Sequence, residues 1–338
     1  MGTSQDALGI TRYGINTTLG IRQHVPPEPF TGAYRPSPRP RADCSRRKGR
    51  DLRQIDRVEF ALANPPLETE PPGTPERTLT VTSVKTIRHR GGPHVVTCFL
   101  DGDRSTEYVA KIYDGVDYPL GAPGPSVLGY NDCMSFAARD YSIEAWAYRI
   151  MQPVIGGTFV PAYHGSWTFN VGQRWVCMIL IELVQGECML DLITRAEDKT
   201  THTIDNARLP PEDFRIRVLQ NIREAPLFIW WRAAVRHEDL VARNVIVKPD
   251  GSVVIIDFNN VYIYDFMTGT RGRGIGTRPP CRRPSSNGSG RSRWDTRLTT
   301  RGYTGCPSGG SRTRAGRPSG WWKRIETTRG LCRLQSVG

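Results

Sequence analysis

Residues 237–257 read His-Glu-Asp-Leu-Val-Ala-Arg-Asn-Val-Ile-Val-Lys-Pro-Asp-Gly-Ser-Val-Val-Ile-Ile-Asp, and no other stretch constrains the chain as tightly. Two apolar runs, Val245–Val247 and Val253–Ile256, flank Pro249-Asp250-Gly251. Proline fixes φ at the first turn position and glycine accepts a positive φ, so the runs read as the arms of a β-hairpin. Closing that hairpin carries Asn244, at the start of one arm, beside Asp257, at the end of the other. His237 and Asp239 lie on the loop just before. Oxygen-bearing side chains then converge at one end of a rigid element, an arrangement that holds a hard cation such as Mg²⁺ against phosphate. Asp257 ends an apolar run, and a carboxylate in such a place has to be paired or metal-bound.

The pattern His237-x-Asp239-x-x-x-x-Asn244, followed by Asp257-Phe258, resembles the catalytic and metal-binding loops of the protein-kinase-like superfamily. The variant Asp-Leu-x-x-Arg-Asn-Val-Ile-Val is similar to divergent kinase-like proteins common in fungi and, more distantly, to choline and aminoglycoside kinases. Val109-Ala110-Lys111-Ile112-Tyr113 resembles the lysine-bearing strand of that superfamily. The resemblance implies an α+β, bilobal protein-kinase-like fold with a five-stranded antiparallel N-lobe, an incomplete helical C-lobe and disordered termini. It also implies ATP and Mg²⁺ as cofactors.

Roles follow from the same resemblance. Lys111 contacts the α- and β-phosphates, and Glu144, on a helix, is its ion-pair partner. Asp239 orients an acceptor hydroxyl and takes its proton. Asn244 and Asp257 hold the metal and through it the nucleotide. Glu182 and Val184, at the end of a strand, mark the segment whose backbone meets adenine. His237 props its loop through a backbone hydrogen bond. Two departures stand out: no GxGxxG precedes Lys111, only Arg90-Gly91-Gly92-Pro93, and the metal loop reads Asp257-Phe258-Asn259.

Charge separates the chain into two parts. Residues 271–338 hold fifteen Arg and one Lys against two acids, whereas residues 1–270 hold 30 bases and 31 acids, so the formal charge of +13 belongs to the tail. The kinase-like part is near neutral and gives no electrostatic case for nucleic acid. The eight cysteines form no CxxC pair, so no zinc site is indicated, and Cys98, Cys177 and Cys188 read as reduced core residues. No apolar leader or membrane-length apolar segment is legible, and the expectation is a cytoplasmic or nuclear protein without a membrane partner.

Composition sets off a disordered arm over 1–55, a Pro-rich linker over 56–76 and an Arg/Gly/Ser/Pro-rich tail over 269–338, and the resemblance implies a kinase-like N-lobe over 77–184 and a partial C-lobe over 185–268. Strands are expected at 78–86, 94–100, 108–113, 159–169 and 175–182. Helices are expected at 135–152, stopping at Pro153, at 189–194, and at 211–235, kinked or split at Pro226. In the tail no further helix is legible. It reads either as translation of an out-of-frame or unspliced stretch, or as an RG-type arm for RNA, with Trp294, Tyr303, Trp321 and Trp322 for stacking. Three functions remain open at this level: a phosphotransferase acting on a protein Ser/Thr or a small alcohol, a pseudokinase that binds nucleotide or scaffolds without turnover, and RNA binding through the tail.

Overall fold

The computed structural model describes residues 12–30, 34–35, 56–67, 75–86, 91–119, 133–198 and 203–266. The chain divides into two units, Met1–Cys281 and Arg282–Gly338, and all the described residues belong to the first. The tail over 269–338, most of the basic stretch over 35–48 and residues 120–132 lie outside the described residues.

Six strands form a closed antiparallel barrel: β1 (Thr18–Gln23), β2 (Arg77–Thr86), β3 (His94–Leu100), β4 (Asp103–Tyr113), β5 (Tyr163–Val171) and β6 (Arg174–Glu182), in the order β1-β2-β3-β4-β6-β5. β1 closes it by pairing with β2 on one side, Thr18 opposite Thr80, and with β5 on the other, Ile21 opposite Phe169. Closure leaves neither β2 nor β5 with an open edge of unpaired amides and carbonyls. Between β1 and β2 a short helix, α1 (Arg57–Ala63), is capped by Asp56, whose carboxylate accepts from the amides of Val58 and Glu59.

The expectation of a bilobal protein-kinase-like fold with a five-stranded N-lobe and an incomplete helical C-lobe is overturned. The sheet has six strands and no free end, and the sixth comes from a Pro- and Arg-rich region where no strand was legible. Among the described residues there are four α-helices against thirteen strands, many of the latter short, rather than a helical lobe.

The helices pack outside the barrel. α2 (Cys133–Ile155) and α4 (Glu212–Ala233) contact each other, and α3 (Met189–Ala196) follows the two-residue strand β7 (Glu187–Cys188). A small hairpin, β8 (Glu197–Asp198) with β9 (Thr203–Ile204), leads toward α4. α2 does not stop at Pro153 but runs two residues further, and α4 passes Pro226 unbroken. Proline forfeits one hydrogen bond in each helix. In α4, burial of Val218, Ala225, Ile229 and Ala233 on one face outweighs that loss.

After α4, Ala234 takes a left-handed conformation and returns its amide to Trp230, which turns the chain into β10 (Val235–His237). β11 (Val245–Val247) and β12 (Val253–Ile255) pair as the sequence implies, with β7 on the other edge of β11. The turn is closed by the Gly251 amide on the Lys248 carbonyl at 2.9 Å, and Gly251 has φ +83, which its lack of a Cβ permits. β13 (Val261–Ile263) pairs with β10.

Alternation along two strands divides the core. Ala110 and Ile112 of β4, with Val176, Met178 and Leu180 of β6, fill the barrel interior around Phe169, Ile21 and Leu79. The intervening residues face outward. Tyr113 of β4 and Cys177, Ile179 and Ile181 of β6 join a second core with Tyr141 and Tyr148 of α2 and with Phe258. Lys111 lies between two inward residues and so shares the outer face with Tyr113.

Candidate functional site

Lys111 is central to the outer face. Lys111 is 7% exposed, and its ammonium sits 2.5 Å from Glu144 Oε2 on α2. It also contacts the Asp257 carboxylate. Glu144 is fully buried and accepts two further hydrogen bonds, from Tyr113 Oη at 2.6 Å and from the Phe258 amide at 3.1 Å. A buried carboxylate survives desolvation only with such a set of donors. Burial works against the Lys111 charge, but Glu144 and Asp257 outweigh it and hold the ammonium above the ordinary lysine range. Asp257 has φ +67, a left-handed conformation that costs a non-glycine residue about 1 kcal/mol or more. The adjacent Phe258 amide on Glu144 and the buried Phe258 ring help fix that turn.

The second group lies on the loop between β10 and β11. The Asn244 amide nitrogen donates to the Asp239 carbonyl at 2.8 Å and approaches Asp239 Oδ2 at 3.4 Å. Arg243 donates to the same Oδ2 at 2.5 Å. His237 joins this loop to the Asp257 turn: its Nδ1 accepts from the Asp239 amide at 3.1 Å and its Nε2 donates to the Ile256 carbonyl at 3.1 Å. Desolvation lowers its pKa, which keeps it in the neutral form that this donor–acceptor pattern needs. The Ile256 amide donates back to the Asn244 carbonyl at 3.0 Å. Lys111, Glu144 and Asp257 thus form one bonded cluster, Asp239 and Asn244 a second, and His237 with Ile256 connects them.

Glu182 and Val184 stand apart. Glu182 ends β6 opposite Tyr108, and its carboxylate accepts from the Ala162 amide at 2.9 Å. Lys111 pairs with Ile179, three residues earlier on β6, so Glu182 is roughly 10 Å away along the sheet. Val184 is buried in the segment leading to β7.

Two residues at this site went unrecognised in the sequence. Tyr113 is held to Glu144, and its two-residue spacing from Lys111 on a strand was the available signal. Asp140, one turn before Glu144, is buried beside Arg139 at 2.7 Å, and desolvation raises its pKa. Nothing in the sequence distinguishes it from a solvated helix acid.

The oxygen donors here suit a hard cation. Asn244 commits its amide nitrogen to Asp239, which turns its carbonyl oxygen the other way, and Asp257 adds a carboxylate. Among the described residues no group of three or more His, Cys, Asp and Glu side chains is placed to hold a metal alone. Two protein oxygens would therefore need phosphate oxygens and water to complete a shell, a mode common for Mg²⁺. Among the described residues no helix is long and apolar enough to cross a membrane.

No family model matches the chain, and no curated protein matches it. Among solved structures it is similar to the crystal structure of WbdD, with 12% identity and a TM-score of 0.33 over 54% of this chain. The chain spans about a third, 33%, of the length of that structure. A likeness at this score carries no argument about fold or activity.

Proposed function

We propose that this chain is an ATP- and Mg²⁺-dependent, kinase-like transferase that moves the γ-phosphoryl group to a hydroxyl acceptor, a protein Ser/Thr or a small alcohol. Support comes from one observation above all: Lys111 is fixed 2.5 Å from Glu144 and in contact with Asp257, and His237 ties that turn to the Asp239–Asn244 loop. The site, and not the architecture, carries the proposal.

In this scheme Lys111 binds the α- and β-phosphate oxygens, and Glu144 positions it, with Tyr113 and the Phe258 amide fixing Glu144 in turn. Asn244 and Asp257 would hold the cation, which when bound supplies charge neutralisation for the phosphates. Asp239 orients the acceptor hydroxyl and accepts its proton late in transfer. Placement and preorganised charge provide most of the rate in such a site.

A second reading, nucleotide binding without turnover, is favoured by the pairing of Asp239 with Arg243 at 2.5 Å and of Lys111 with two carboxylates. The candidate base and the candidate phosphate ligand are both engaged by protein groups. Thermal unfolding with and without MgATP, followed by turnover of labelled ATP by wild type and Asp239→Asn, distinguishes the two. For a transferase, MgATP raises the unfolding temperature of both proteins, and the variant loses roughly 10²–10⁴ in rate. Equal rates would remove Asp239 from the mechanism. A shift without turnover would favour the second reading, and no shift would exclude both.

A further inference from the structure

Just past β1, residues 24–30 and 34–35 touch both halves of the site. His24 is buried, its ring stacks on Tyr141 of α2 with planes 7° apart, and its Nε2 meets Tyr141 Oη. The Pro26 carbonyl accepts from Trp146 Nε1 at 3.1 Å. Tyr141 and Trp146 bracket Glu144 on α2. Phe30 is fully buried. Tyr34 reaches the opposite side: its Oη donates to the Val261 carbonyl at 2.6 Å and accepts from the Ile263 amide at 3.0 Å.

β13 needs such a partner. It pairs with β10 along one edge, where Val261 lies opposite His237, and among the described residues no strand covers its other edge. One hydroxyl satisfies an amide and a carbonyl there, as only a group that both donates and accepts can. Burial pushes the Tyr34 phenol up to about 12, so it keeps the proton that it donates. α2 and the turn before β13 also meet directly, through the Phe258 amide on Glu144 and the Tyr148 ring against the Phe258 ring at 5.3 Å. Two ties that fix the same pair of elements reinforce each other.

We propose that this segment is a strap that sets Glu144 against Lys111 and the Asp257 turn, with Tyr34 as a positioning residue for the nucleotide site. What the pocket binds rests on the nucleotide reading; the coupling of Tyr34 to Glu144 does not. Tyr34→Phe keeps the ring and removes both of its hydrogen bonds to β13. Amide exchange in the full-length protein, followed residue by residue by NMR, is expected to quicken about tenfold at Ile263, which loses its acceptor, and also at Phe258, whose acceptor is Glu144. A merely local role would move Ile263 alone. His24→Phe keeps an aromatic ring on Tyr141, removes the hydrogen bond, and is expected to quicken Ile263 from the opposite end of the strap. The amides of β3 and β4 hold their rates in both variants. By calorimetry, MgATP affinity falls about tenfold in Tyr34→Phe and is unchanged in Ile112→Val, a change inside the barrel. Phe258 indifferent to Tyr34→Phe, Ile263 indifferent to His24→Phe, a uniform rise across the barrel, or undiminished MgATP affinity in Tyr34→Phe would overturn the proposal. A wild type that binds no MgATP, with Phe258 still responding to Tyr34→Phe, would remove the nucleotide reading and leave the strap standing.

Discussion

The two faces of β4 place adjacent residues in opposite environments. Ala110 and Ile112 pack among the apolar side chains of the barrel interior, while Lys111 and Tyr113 enter a region where buried charges are held by partners. Inside the barrel an unpaired charge is an error, and the charged pair buried against its core, Arg174 with Asp114, is closed by Tyr13 Oη, which donates to the same carboxylate at 2.7 Å. Outside it, the error is to remove one charge and leave the others. The same pleat therefore gives stability on one side and an electrostatically set site on the other.

The largest effect is expected from Ile21→Asp. Ile21 is fully buried and sits on the closing strand, so an unpaired carboxylate there should cost more than about 4 kcal/mol in urea unfolding. A loss below about 0.5 kcal/mol, typical of a surface site, would mean that residues 18–23 are not a stave of the barrel. Lys111→Met comes next. It strands Glu144 and Asp257 without their cation and should cost about 3–5 kcal/mol, with part of the loss recovered by a second change, Glu144→Met. Failure of any recovery would deny the coupling of the two side chains.

His24, just past β1, probes the seam between the regions. Its ring stacks on Tyr141 of α2 at 5.5 Å, and desolvation lowers its pKa from 6.5 to about 4. The unfolded chain takes up this proton near pH 6.5 and the folded chain only near 4, so stability should fall as pH drops through that window and level off below it. The contribution is on the order of 3 kcal/mol, and His24→Gln should flatten this part of the stability–pH curve. An unchanged slope would show that His24 is not the group responsible. Tyr113→Phe removes one of the donors to Glu144 and should cost about 1–2 kcal/mol by urea unfolding. The smallest effect belongs to Arg22→Ala on β1, whose exposed pair with Glu76 at 3.1 Å should be worth less than about 1 kcal/mol. A larger loss would place more of the closure in that surface pair than in the buried interior.

What could be read in advance follows the range of the interactions. The hairpin was legible because its turn chemistry is local, in Pro249-Asp250-Gly251. The alternation of β3, β4 and β6 showed as β-branched and apolar runs. The closing strand was not legible: Thr18–Gln23 buries only Leu19 and Ile21, and its partners lie about 60 and 150 residues away. Without β1 the sheet counts five strands and invites a two-lobed architecture. Pro226 invited a break in α4 because the burial that holds the helix together is tertiary. At the site, Lys111 and the Asp239–Asn244 loop stood out through their resemblance to a known pattern. Tyr113 and Asp140 did not, since their significance arises only where β4 meets α2.

The most direct measurement is calorimetric titration of MgATP into the full-length protein, with Lys111→Met and Ile112→Val as paired variants from the two faces of one strand. The expected result is one-to-one binding that is lost in Lys111→Met and kept in Ile112→Val, although the latter costs about 1 kcal/mol of stability. Absence of binding in the wild type, or binding that does not depend on Lys111, would contradict the assignment of this face to a nucleotide.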